Sequence, residues 1–162
     1  MNSLSVIVDR FECSQLCYLV GQWFNKLIKE SNIDCVAFCK ELDPPFMETY
    51  FSIMNISELY SANGLVISTN IENTKQLINA CIDAEKIFYV WDLEFIRNKN
   101  YLDNLSVFTN PEVKLITRSD DYANEIENFC NIRPLVIENF NIPEIYNGFF
   151  RRPQKRNYLS IY

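Results

Sequence analysis

The sequence predicts an α/β domain, a three-layer sandwich in which helices cover both faces of a mostly parallel sheet of about six strands. Two observations carry that expectation. Short β-branched or aromatic runs alternate with stretches whose apolar residues recur at helical spacing, and strands joined through helices need crossover connections that leave neighbours parallel. The composition agrees: 162 residues, 48% hydrophobic and 14% aromatic, suffice for one domain with a substantial core.

Ser5–Val8 reads as the first strand, ending at Asp9 and Arg10. Leu16, Val20, Trp23, Phe24, Leu27 and Ile28 then repeat with a helical period, Lys26, Lys29 and Glu30 fall between them on the solvent side, and Ser31-Asn32 closes the helix. Asp34–Cys39 is the second strand. Asp43-Pro44-Pro45 breaks regular structure, because proline fixes φ and biases its predecessor away from helix. Phe46–Tyr60, with Met47, Tyr50, Phe51 and Met54 at helical spacing, is expected to form an irregular helical excursion. Ala62-Asn63-Gly64 turns into the third strand, Leu65–Ser68. Asn70 or Asn73 caps the next helix, whose apolar positions are Leu77, Ile78, Cys81 and Ile82 and which is expected to end near Glu85. Ile87–Trp91 is the fourth strand. Arg97–Asn100 and Asp103-Asn104 mark a polar stretch that crosses the surface before Glu112.

Val113–Thr117 is the fifth strand, and Ser119 caps a helix carrying Asp120 and Asp121 in its first turn, where negative charge suits the macrodipole. Tyr122, Ile126, Phe129 and Cys130 form its buried face. Asn131–Pro134 turns into a last short strand, Leu135–Ile137. Residues 1–148 thus make one Rossmann-like domain. Residues 149–162 change character: Phe149–Arg156 is a basic linker, and Asn157–Tyr162 reads as the opening of another strand, either a late addition to the edge of the sheet or the first strand of a missing or partner domain.

The net charge of −6 and pI of 4.7 argue against nucleic acid and anionic membrane as partners. The first residues lack a basic start and a long apolar run, so the protein is expected in the cytoplasm. Cys13, Cys17, Cys35, Cys39, Cys81 and Cys130 are expected to stay reduced as small core residues. The two C-x3-C pairs among them fit core packing better than zinc, since structural zinc sites use tight knuckles. With no histidine in the chain, acid–base chemistry falls to Asp, Glu, Lys, Tyr or Cys, and a histidine-activated nucleophile is excluded. Asp9–Ser14 holds no glycine, so the phosphate-binding turn that often follows the first strand of such sheets is missing. Nothing in the sequence calls for a cofactor or a metal.

Ligands of open parallel sheets bind at the carboxyl edge of the strands. Asp92 and Glu94 after the fourth strand are the candidate catalytic residues, a general base and a hydrogen-bond acceptor for a hydroxyl-bearing ligand. Asp9, Arg10 and Glu12 after the first strand, and Arg118 and Ser119 after the fifth, are the substrate-binding candidates. The plainer alternative makes Asp92 a turn residue and Glu94 merely solvated. The Arg118 guanidinium either reaches the crevice for a phosphate or carboxylate or pairs with Asp92, Asp120 or Asp121. The two aspartates behind Ser119 oppose a phosphate docked directly on that helix terminus.

With Trp91-Asp92-Leu93-Glu94 after a strand, then Leu115–Ser119, then Val136–Phe140, residues 5–146 resemble the N-terminal half of glycosyltransferases of the GT-B fold, in versions found in large bacterial viruses. The resemblance implies a domain that holds the sugar acceptor and faces a second domain or chain holding a nucleotide sugar, in the host cytoplasm if the protein is viral. It implies transfer only when that second part completes the site. The alternatives on the same fold are a non-catalytic binding module and a small viral protein that occupies a host protein.

Overall fold

A computed structural model of the chain describes residues 3–97 and 99–149. Its strands are β1 (Ser3–Arg10), β2 (Asp34–Glu41), β3 (Ser52–Asn55), β4 (Gly64–Ser68), β5 (Ala84–Val90), β6 (Val113–Thr117) and β7 (Leu135–Val136). Its helices are α1 (Gln15–Ser31), α2 (Ile71–Asn79), α3 (Tyr101–Phe108), α4 (Asp120–Cys130) and α5 (Ile142–Phe149). All seven strands form one parallel sheet in the order β3-β2-β1-β4-β5-β6-β7. The chain runs outward from β1 through β2 to β3, then returns to the other side of β1 at β4. The strands stay parallel, but the direction in which the chain adds them reverses between β1 and β4, the position where loops part and leave a crevice.

Alternation along the central strands supplies both faces. Leu4, Val6 and Val8 of β1, with Ile87 and Tyr89 of β5, pack under α1 and α5 through Val20, Phe24 and Ile145. Phe88, Val90 and Leu115 face the other way, toward Val107 and Phe108 of α3 and Ile126 of α4. Ile7, Phe38 and Val66 meet Leu77 of α2 on that second face. Each such fully buried large side chain contributes roughly 1.5–3 kcal/mol. Asn32 and Asn131 close α1 and α4 in the left-handed region, at φ 50° and 58°, which asparagine tolerates better than most residues. Gly64, at φ +74°, makes the tight entry into β4.

The structure corrects the expected elements in five places. Residues 52–55 are strand rather than helix, and a 3-10 segment, Ile56–Ser61, follows. The open edge of β2 offers ladder hydrogen bonds there, and Phe51 is pinned edge-on against Phe11 and Phe24. The Asn25 side chain also bonds both Glu48 O and Tyr50 N at 2.9 Å, holding the approach to β3 extended. The supposed polar crossing contains α3, whose Val107 and Phe108 are buried while Tyr101, Leu102 and Asp103 face outward. The helix expected to reach Glu85 stops at Asn79, because Lys86 donates to the carbonyls of Ile78 and Ala80 at 3.4 and 3.1 Å and β5 starts at Ala84. Cys13 and Cys81 are exposed, while Cys17, Cys35, Cys39 and Cys130 are buried, all six as free thiols. Lastly, α5 begins around Pro143, tolerated in a first turn where its N–H has no helical partner, and packs on α1.

β7 is short. It pairs only with Ile116 and Thr117, so Val113–Leu115 have no strand on that side among the described residues. The basic stretch after Phe149 and the strand expected at Asn157–Tyr162 lie outside the described residues. No helix among them is long and apolar enough to cross a membrane.

Candidate functional site

Three strand ends meet at the switch point and enclose a cleft of about 330 Å3. From β1 come Asp9, Arg10 and, one turn further, Glu12; from the β4 end Thr69 and Asn70; from the β5 end Trp91, Asp92 and Glu94. Local chemistry holds each loop. The Ser14 hydroxyl caps α1 by accepting from Cys17 N at 3.2 Å, and the buried Phe11 anchors the turn before it. Thr69 Oγ1 donates to Ile7 O at 2.7 Å, which ties the β4 loop to β1.

The carboxylates are not equivalent. Asp9 accepts from Asn70 Nδ2 at 3.1 Å and lies 3.5 Å from Lys40 Nζ. Glu94 Oε1 accepts from Ile71 N at 2.7 Å, so it caps α2 together with Asn70, whose Oδ1 takes Asn73 N at 2.8 Å. That terminus is already filled by a carboxylate and an amide and is closed to a phosphate. Arg10 turns away to Asp43, with its Nε 2.8 Å from Oδ2 and an Nη 3.0 Å from Oδ1, and lies 3.3 Å from Glu41. Its guanidinium holds the Asp43 carboxyl below the ordinary carboxylate value, and Asp43 in turn raises Arg10. Asp92 and Glu12 are exposed, and neither carboxylate bonds another described residue. The cleft is therefore acidic, with two carboxylates free to accept from a ligand and the ring of Trp91 as an apolar wall.

Neutral-pH proton transfer has no better candidates nearby. Burial pushes the Cys35 thiol up to about 12 and Cys39 up to about 11, so neither is a ready thiolate. Burial also pushes the Tyr89 phenol up to about 12, and its hydroxyl donates to Ile137 O.

Of the residues singled out from sequence, the structure gathers Asp9, Arg10, Glu12, Asp92 and Glu94 around one cleft and leaves two outside it. Ser119 spends its hydroxyl on Tyr122 N at 3.2 Å as the α4 cap. Arg118 pairs with none of Asp92, Asp120 or Asp121; it lies over Trp91 and Tyr122 instead. Sequence reasoning missed Trp91 as a site residue by placing it inside the strand, and took Asn70 only for a cap. A bulky aromatic just before an acidic strand-end residue was the available signal. Comparison of the chain with protein-family models, curated proteins and solved structures found no match.

Proposed function

We propose that this chain is the acceptor-side domain of a GT-B-like glycosyltransferase, which transfers a sugar once a second domain or chain brings the nucleotide sugar. The observation that carries this reading is Asp92: an unpaired carboxylate at the mouth of an acidic, glycine-free cleft at the switch point of the sheet. Carboxylates without a phosphate cradle suit hydroxyl groups, which donate to them, and repel nucleotide phosphates. Asp92 accepts the proton of the acceptor hydroxyl as its oxygen bonds to the donor sugar carbon and the nucleotide leaves with the former bonding pair. Asp9 and Glu12 orient further hydroxyls. Glu94 acts through α2, holding Asn70 and hence Asp9 in place.

The test is an NMR titration of the protein with a panel of neutral saccharides and with nucleotides. Saccharides are expected to shift the amides of Asp9, Asn70 and Asp92. Asp92→Asn is expected to weaken this at least about tenfold, the scale of one charge-assisted hydrogen bond, while leaving the thermal midpoint in place. Nucleotide binding in the cleft, or an Asp92→Asn variant that binds as well as wild type, overturns the reading. A second reading, a non-catalytic module that occupies another protein, is favoured by the apolar patch of Ile96, Tyr101 and Leu102, which are 58%, 54% and 77% exposed. A stable protein complex that Leu102→Asp abolishes, without saccharide binding, would select it.

A further inference from the structure

Beside the cleft, the carboxyl edge carries a constellation that hydroxyl recognition does not use. Arg118, the residue after β6, is half-buried, with its guanidinium carbon 4.7 Å from the Trp91 ring centre and 4.7 Å from that of Tyr122. One Nη donates to the Tyr122 hydroxyl at 2.9 Å. No carboxylate of a described residue pairs with it, although the chain carries a net charge of −6 and places Asp120 and Asp121 immediately after Ser119. The other buried or half-buried groups around it serve to hold this arrangement. Trp91 packs edge-on to Phe140, whose ring lies 4.4 Å from Tyr89. Asn139 and Phe140 both sit in the left-handed region, at φ 55° and 49°, a conformation that is strained for a bulky side chain and persists only where its surroundings impose it. Here the surroundings are the complete burial of Phe140 and the Trp23 indole N–H, which donates to Asn139 O at 3.2 Å.

We infer that Arg118 reads an anionic group, a carboxylate or a phosphate, at one end of the polyhydroxy ligand held in the cleft. Two rings and a phenol hydroxyl fix the guanidinium before any ligand arrives, so little side-chain freedom is lost when it binds. One Nη is taken by the Tyr122 hydroxyl, so a ligand meets the remaining N–H groups, whose fork matches a carboxylate or phosphate in bidentate fashion. Trp91 belongs to both constellations: it lines the cleft and stacks on Arg118. The acidic cleft then disfavours anions in general, and Arg118 offers a single place for one. The selected class is a sugar or polyol bearing one acidic group. The position of the hydroxyls rests on the acceptor-side reading; the anion contact does not.

Three probes with one carbon skeleton separate the two: sorbitol, gluconate and sorbitol 6-phosphate, titrated against the Trp91 indole and Arg118 Nε–H signals. Gluconate and the phosphate are expected to bind about tenfold more tightly than sorbitol, the scale of a charge-assisted hydrogen bond. That advantage is expected to collapse in Arg118→Gln and to return only in part in Arg118→Lys, which restores charge without the fork. Equal affinity for sorbitol and gluconate in the wild type, or an advantage that survives Arg118→Gln, overturns the inference. If none of the three binds, the acceptor-side reading fails, and inorganic phosphate alone decides the anion site. A phosphate-induced shift of the Arg118 signal with a matching Trp91 shift supports it, and no shift removes it. Should Arg118→Gln not fold, Arg118→Lys carries the comparison, and an undiminished gluconate advantage there also overturns bidentate reading.

Discussion

The carboxyl edge of the sheet is built in two ways on its two sides. Around β1 and β4 the side chains are charged, mostly exposed and fixed by pairs such as Arg10–Asp43 and Asp9–Asn70. Around β5, β6 and β7 the same edge adds an aromatic group beside its carboxylates: Tyr89, Trp91 and Phe140 pack on one another, and Arg118 lies over Trp91 with no carboxylate partner among the described residues. Water screens the first set, so its geometry rests on weak interactions that a ligand can displace. The second is held by burial and is rigid without a ligand. An edge so divided can adapt to hydroxyls on one side while presenting a fixed cation on the other.

Substitutions should separate the two sides by size of effect. Phe140→Ala, which opens a cavity beside Tyr89 and Trp91, is expected to lose about 3–5 kcal/mol in chemical denaturation; a loss below about 1 kcal/mol would mean the aromatic side is not held by packing. Tyr89→Phe orphans the buried Ile137 carbonyl and is expected to lose about 1–3 kcal/mol near neutral pH. It should also change the alkaline limb. The folded phenol binds its proton up to about 12 against an ordinary value of 10.0, so the native state holds more protons than the unfolded state in that window. The Tyr89 contribution is whole below pH 10 and is lost as pH rises toward 12, so the fall should be shallower in Tyr89→Phe, while the raised thiols of Cys35 and Cys39 steepen the limb above their ordinary 9.0 in both proteins.

Smaller effects belong to the charged side. Glu94→Ala removes an α2 cap and is expected to lose about 1 kcal/mol, whereas Glu94→Gln keeps an acceptor and should lose less. If both abolish saccharide shifts equally while stability is kept, Glu94 contacts the ligand directly. Asp43→Asn should have the smallest effect. Because Arg10 depresses the Asp43 carboxyl, the pair's contribution is present above the ordinary carboxylate value, 3.8, and is lost as pH falls through the depressed one. The small difference between Asp43→Asn and wild type should therefore vanish in acid denaturation profiles. A difference that persists in acid would point to packing rather than charge.

How much of this was legible depended on the range of the contacts. Val6-Ile7-Val8, Leu65-Val66-Ile67 and Val113–Thr117 announce strands because β-branched runs have few other uses, and the helices between them oblige the sheet to be parallel. β3, α3 and α5 were not legible because each spans at most eight residues, too few for periodicity to stand out, and because an open strand edge or a sheet face decides their form. For the site, strand ends predicted which residues share the edge, and five of them do share a cleft. The partners were not readable: Glu94 caps a helix 23 residues earlier in the chain, and Arg10 turns to a residue 33 positions away. For Arg118 the sequence left open a reach into the crevice or a pair with Asp92, Asp120 or Asp121, and only the fold places two aromatic rings beside it.

The brevity of β7 has a consequence for how the molecule survives at high concentration. Where it stops, no strand among the described residues pairs with Val113–Leu115 of β6, and a rim of free backbone donors and acceptors invites strands from neighbouring copies to add on. Lys114 stands at the middle of that rim, half-exposed, with its ammonium 5.0 Å over the Phe149 ring and 3.6 Å from Glu85. An incoming apolar strand would have to strip water from that charge, so Lys114→Val is expected to raise light scattering at high protein concentration relative to wild type.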